Sequence, residues 1–136
     1  FYSHHIEWKE FSNFWPAELF LDGKWWPSVE HYYQAMKSTD QNEQEMVRLL
    51  PKPWQAKRAG RKVKHFRKDW EETKEIFMKK ALVEKFNIPK LKEVLLKTGD
   101  ARLHEDSPND MYWGIKGKDR LGKLLEEVRA ELNNKA

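Results

Sequence analysis

"AELFLDGKWWPSVEHYYQAMK", residues 17–37, holds the two signals on which the fold turns. The Asp-Gly pair at Asp22 and Gly23 lies between two apolar-rich segments, the strongest short-range signal for a β-hairpin. Trp25, Trp26 and Pro27 end its second strand. Ser28 then stands where a helix N-cap is expected, which puts Glu30 in the first turn, where a carboxylate also favours the helix dipole. In that helix Glu30, Gln34 and Lys37 fall at i, i+4 and i+7 and share one face. Val29, Tyr32, Tyr33 and Met36 fall mostly on the other side. A solvated stripe would look the same, so the rest of the chain must decide what the polar face does.

Outward from this segment the pattern is helical. "QNEQEMVRLL" reads as a short helix stopped at Pro51. "KDWEETKEIFMKKALVEKF" repeats Trp70, Thr73, Phe77 and Ala81, with Met78, Leu82 and Phe86 widening the stripe. Pro89 can open a further helix carrying Leu91, Val94 and Leu95, and Gly99 can close it. Leu121, Leu124, Leu125, Val128 and Leu132 mark one face of a last helix. These stripes are read as core. The expected fold is mainly α, with a small N-terminal β-hairpin, in one compact domain over residues 1–136. Residues 98–122 are long, polar and turn-rich, yet contain Tyr112 and Trp113, and are read as a structured, site-forming loop.

Of 136 residues, 39 % are hydrophobic and 35 % charged, so a core can form beneath a densely ionic surface. The absence of cysteine excludes disulfides, thiolate nucleophiles and cysteine zinc sites. The five histidines show no paired spacing on a helix, although His4 and His5 could bind metal adventitiously. No apolar run approaches the roughly 18 residues that span a bilayer, and no signal-peptide pattern is present, so a cytoplasmic location without membrane contact is expected. The net charge is +4. Residues 52–68 carry Lys52, Lys57, Arg58, Arg61, Lys62, Lys64, Arg67 and Lys68 with no acid. Trp54 and Phe66 lie among them and Trp70 just beyond, a pattern suited to phosphates and stacked bases, and also found on surfaces that are merely solubilising.

Three polar groups stand against apolar neighbours: Asn13 in "FSNFWP", the Glu30–Lys37 helix face, and Asp110 before Tyr112, Trp113 and Gly114. A carboxamide, two carboxylates and an amine suit cleavage of a glycosidic bond. That reaction needs an anion opposite an oxocarbenium-like transition state, a base or nucleophile, and a wall for the leaving base. Trp113 could be that wall. Each also has a structural alternative: Asn13 as a turn cap, Asp110 as an Asx-turn residue, Trp113 as a core anchor. The fingerprints GxGxxG, GxxxxGK[ST] and GxSxG are missing.

"FSNFWPAELFLDGKWWPSVEHYYQAMK", "GRKVKHFRKDW", "LLKTGDARLHEDSPNDMYWG" and "LGKLLEEVR", in that order over about Phe11 to Arg129, resemble the NADAR, or YbiA-like, family. The resemblance implies a mainly helical N-glycosidase of ribosylated bases that needs no metal or redox cofactor. Its known members act either on phosphoribosylamino-pyrimidine intermediates of riboflavin biosynthesis or on ADP-ribosylated guanine, including guanine in DNA. On this resemblance the catalytic residues are Glu30, Lys37 and Asp110, and the substrate-binding residues Asn13, Tyr33, Gln34, Arg61, Trp113 and Gly114. The "GIKGKDRLG" stretch departs from the family's longer glycine-rich one and carries Arg120 in it. The expected partner is ADP-ribosylated guanine in nucleic acid, or a phosphoribosylated small molecule. Two other classes stay open: a non-catalytic reader of ADP-ribose, and a nucleic-acid-binding module using the basic segment alone.

Overall fold

The computed structural model describes residues 2–3, 6–105, 110–115 and 117–134; His4, His5 and Pro108 lie outside them. The chain divides into two compact units, residues 13–85 and residues 1–12 with 86–136.

The unit of residues 13–85 is built on the hairpin and the helix that follows it. Strands β3 (Leu19–Leu21) and β4 (Lys24–Trp26) pair antiparallel, with Leu19 opposite Trp26 and Leu21 opposite Lys24. The expected turn forms: Asp22 has φ 55° and Gly23 φ 76°, the left-handed pair that a two-residue hairpin loop requires. The carboxylate of Asp22 also accepts the Tyr32 hydroxyl at 2.9 Å, so the turn is tied to the next helix.

That helix, α1 (Val29–Ala35), begins at Ser28, whose hydroxyl accepts the His31 backbone N–H at 3.2 Å. Such a cap contributes about 1 kcal/mol. Every residue of α1 is buried, because it packs against β4, α2 (Gln41–Arg48), α3 (Pro53–Gly60) and α4 (Trp70–Lys85). Asp40 caps α2 by accepting the Glu43 N–H, and Pro53 opens α3, which the basic composition of residues 52–68 concealed. In α4 the buried side is Trp70, Lys74, Met78, Ala81, Leu82 and Lys85, whereas Thr73 and Phe77 are half-buried. The predicted stripe is therefore rotated toward two lysines. Lys74 reconciles its position by pairing with Glu71 at 2.7 Å, and long amine stems can cover apolar surface.

The second unit contains a short antiparallel pair, β1 (Tyr2–Ser3) and β2 (Ile6–Glu7), and a 3-10 turn at Lys9–Phe11. Helices α5 (Pro89–Lys97) and α6 (Arg120–Asn134) pack together, and Gly99, at φ 62°, ends the first as expected. Leu121, Leu124, Leu125, Val128 and Leu132 are all buried. Arg129 is buried among them, its Nη1 donating to the Thr98 hydroxyl at 2.8 Å and the Ala101 carbonyl at 2.7 Å.

His31 provides a pH test of the first unit. Its Nε2–H donates to the Leu50 carbonyl at 2.8 Å, and its Nδ1 accepts the Ser28 hydroxyl at 2.7 Å. Burial lowers its pKa below the ordinary 6.5. The unfolded chain then takes up a proton that the folded imidazole resists, so this contribution is complete above pH 6.5 and declines as pH falls. Between pH 6.5 and the lowered folded value, the loss from this group approaches about 1.4 kcal/mol per pH unit. Urea unfolding at pH 5 and 7.5 should show a smaller pH dependence in His31→Gln than in the parent; equal dependence would remove His31 from this role.

Candidate active site

Asn13, Glu30, Tyr33, Gln34 and Lys37 come together in the unit of residues 13–85. Helix α1 carries Glu30, Tyr33 and Gln34, but it ends at Ala35, so Lys37, expected on the same helix, lies in the turn beyond it, its N–H donating to the Gln34 carbonyl at 3.3 Å. The segment before the hairpin brings in Asn13, whose backbone carbonyl accepts the Glu30 N–H at 3.1 Å. Glu30 is only 6 % exposed. A carboxylate so far from water is tolerated when it is hydrogen-bonded, and Gln34 Nε2 donates to its Oε2 at 2.6 Å. The i, i+4 spacing read in the sequence is thus a direct bond. Bonds to a charged acceptor contribute about 1.5–3 kcal/mol.

Among the described residues of this unit, two buried acceptor atoms have no hydrogen-bond partner: Asn13 Oδ1 and Gln34 Oε1. The Asn13 side chain donates to the sulfur of Met78 at 3.6 Å, a weak contact that engages its nitrogen only. The Gln34 oxygen lies against Gly60, whereas the unpartnered Asn13 oxygen has the polarity that suits a sugar hydroxyl, an exocyclic amine or a developing positive charge.

Lys37, at the end of the stripe, is half-buried. Its Nζ lies 5.7 Å from the Tyr33 ring centroid and 6.0 Å from that of Trp70, within reach of a cation–π attraction. The two rings pack at 5.1 Å. Trp70 belongs to a helical stripe read as core and is also one of the aromatics flanking the basic segment; it is buried, and its place beside Lys37 depends on tertiary packing.

Arg61 is exposed just after α3 and directly follows Gly60, whose backbone abuts Gln34. On α3, Trp54, Lys57, Arg58 and Arg61 share one exposed face, while Ala56 and Gly60 are buried on the other. Among the described residues of this unit, Lys24, Arg48, Arg67, Lys74 and Lys80 form ion pairs and lie off this face.

Asp110, Trp113 and Gly114 belong to the other unit. Asp110 Oδ1 accepts the N–H of Tyr112 at 3.0 Å and of Trp113 at 2.9 Å, so this oxygen serves an Asx turn, the structural alternative raised by the sequence. The turn continues through Gly114, whose N–H donates to the Asp110 carbonyl and whose own carbonyl accepts from Asp119. Trp113 is buried, with Tyr112 edge-on at 4.8 Å. Arg120 pairs with Glu127 at 4.0 Å. Among the described residues no group of three or more His, Cys, Asp or Glu side chains could hold a metal, and no helix is long and apolar enough to cross a membrane.

The family model described as the NADAR domain matches residues 1–133. The N-glycosidase YbiA of Escherichia coli (strain K12) is 46 % identical over 140 residues, covering 97 % of this chain and 86 % of that protein. The NMR structure of E. coli YbiA superposes with a TM-score of 0.87, covering 99 % of this chain and 84 % of that one. A riboflavin biosynthesis protein of Vibrio vulnificus is 39 % identical over 132 residues, covering 92 % of this chain and 36 % of its own length.

Proposed function

The chain belongs to the NADAR family of N-glycosidases, and from that premise we propose that it hydrolyses the bond between ribose and guanine in ADP-ribosylated guanine, free or in nucleic acid. One observation carries the siting of the chemistry: a buried carboxylate, Glu30, that accepts from the Gln34 amide on a helix whose first turn is bonded to the backbone of Asn13, a residue with an unpartnered buried oxygen.

In this reading water attacks C1′ as the C1′–N bond breaks. The carboxylate of Glu30 takes the water's proton and faces the positive charge developing on the sugar, while the leaving nitrogen acquires a proton. Asn13 and Gln34 contact polar groups of the ligand or hold the carboxylate. Asp110 serves the same reaction, binding sugar hydroxyls or aiding proton transfer. Trp113 and Gly114 shape the surroundings of the base, and Tyr33 backs Lys37. Arg61 takes the pyrophosphate, to which a guanidinium is suited. Lys37 either neutralises a phosphate or attacks C1′ itself and holds the opened sugar as a Schiff base. Borohydride added during turnover leaves a sugar adduct on Lys37 only in the second case.

Glu30→Gln should lower kcat on the order of a hundredfold or more while the protein remains folded by circular dichroism; near-normal turnover would exclude Glu30 as the base.

The exposed cationic face of α3 favours a substrate with several phosphates. A phosphoribosylamino-pyrimidine of riboflavin biosynthesis is the second reading, favoured by the name of the Vibrio relative. A substrate panel separates them. ADP-ribosylated guanine in an oligonucleotide should release ADP-ribose, with kcat/KM falling roughly twentyfold between 50 and 200 mM salt if about three phosphates are contacted. Turnover of the pyrimidine intermediates alone would select the second reading, and ligand binding without hydrolysis of either would leave a reader.

A further inference from the structure

Gly60 ends α3 in a helical conformation, so no left-handed φ calls for glycine there. Glycine is also the poorest helix former after proline. What calls for it is space. A Cβ at residue 60 would lie 1.8 Å from Gln34 Oε1 and 2.7 Å from Gln34 Cδ. Ala56, one turn earlier, is buried as well, so the buried side of α3, which packs on α1, is made of two small residues. The Gln34 carboxamide is thus confined on both sides. The Gly60 backbone closes off its oxygen, which is buried and accepts nothing, and its nitrogen donates to Glu30 Oε2 at 2.6 Å.

We propose that Gly60 is a positioning residue for catalysis that acts through Gln34: the missing Cβ admits the amide, and the amide aims the Glu30 carboxylate. Gly60 acts on Glu30 through the Gln34 amide. The proposal rests on the reading of Glu30 as the catalytic carboxylate, and it adds the element of α3 that keeps that carboxylate in place. It also accounts for the unpartnered Gln34 oxygen, whose hydrogen-bonding capacity is given up so that the nitrogen of the same amide can serve Glu30.

Gly60→Ala is informative because the atoms it would strike are the far end of a flexible side chain. Alanine favours the helix, and Gln34 can swing aside, so the variant should fold and lose the Gln34–Glu30 bond. The Gln34 side-chain amide pair, identified in a 15N–1H spectrum as the one absent from Gln34→Ala, should be split and slowly exchanging in the parent. In Gly60→Ala it should collapse toward the positions of solvent-exposed glutamines. In the same variant kcat should fall ten- to a hundredfold, as expected for a displaced catalytic group, with KM changed by no more than about twofold. Added to Gln34→Ala, the Gly60→Ala change should cost no further kcat, since both remove one contact. An unmoved Gln34 amide signal, or losses that multiply in the double variant, would overturn the positioning role. So would parental kcat in Gly60→Ala while Glu30→Gln is inactive. Full turnover by Glu30→Gln, with the amide signal still collapsing in Gly60→Ala, would instead overturn the catalytic reading on which the proposal rests.

Discussion

The hydrogen bond from Gln34 to the buried Glu30 carboxylate is the constraint on which the unit of residues 13–85 depends. A carboxylate with almost no access to water is costly unless donors replace its hydration. In α1 that donor comes from one turn further along the same helix, so local geometry provides it without recruiting a distant strand. The arrangement also fixes what surrounds it. The Glu30 amide bonds to the Asn13 carbonyl, and α3 presents glycine to Gln34, so the chain before the hairpin and a helix after it both converge on one acid.

The same unit shows why so short a helix can be rigid. Seven residues are too few to hold helical shape alone in water. Here Ser28 caps the start, His31 is bonded through both ring nitrogens, and Tyr32 reaches the hairpin turn at Asp22. Each of these side chains lies within four residues of Glu30. Burial of the whole of α1 thus holds the Glu30 carboxylate and forms the core of the unit with the same residues, which leaves little slack for the carboxylate to drift.

Much of this was legible from residue types at fixed spacings. The Asp22–Gly23 turn, the Ser28 cap, the Glu30–Gln34 pair and the leucine face of α6 all follow from periodicity and capping rules that act over a few residues, whereas Lys37 falls past the end of α1. The family resemblance extended that reading to Asn13 and Asp110. What resisted was set by packing. Helix α3 hid in a basic run because its buried side consists of Ala56 and Gly60, which leave no hydrophobic stripe to detect. In α4 the stripe was drawn through Thr73 and Phe77, while Lys74 and Lys85 took buried positions, because a lysine stem can pack where its charge finds a partner. Asp110 could be read from sequence either as a site acid or as an Asx-turn residue, and one of its oxygens does serve the turn it begins. The role of Gly60 could not be read at all without knowing which side chain faced it.

The central claim is that Glu30 and its neighbours on α1 contact the ribosyl part of the ligand. Titrating the 15N-labelled protein with ADP-ribose and following its amide resonances tests this most directly. Saturable shifts are expected at Asn13, Glu30, Gln34 and Lys37. Shifts limited to the exposed face of α3, with Asn13 and the Glu30 helix undisturbed, would contradict it.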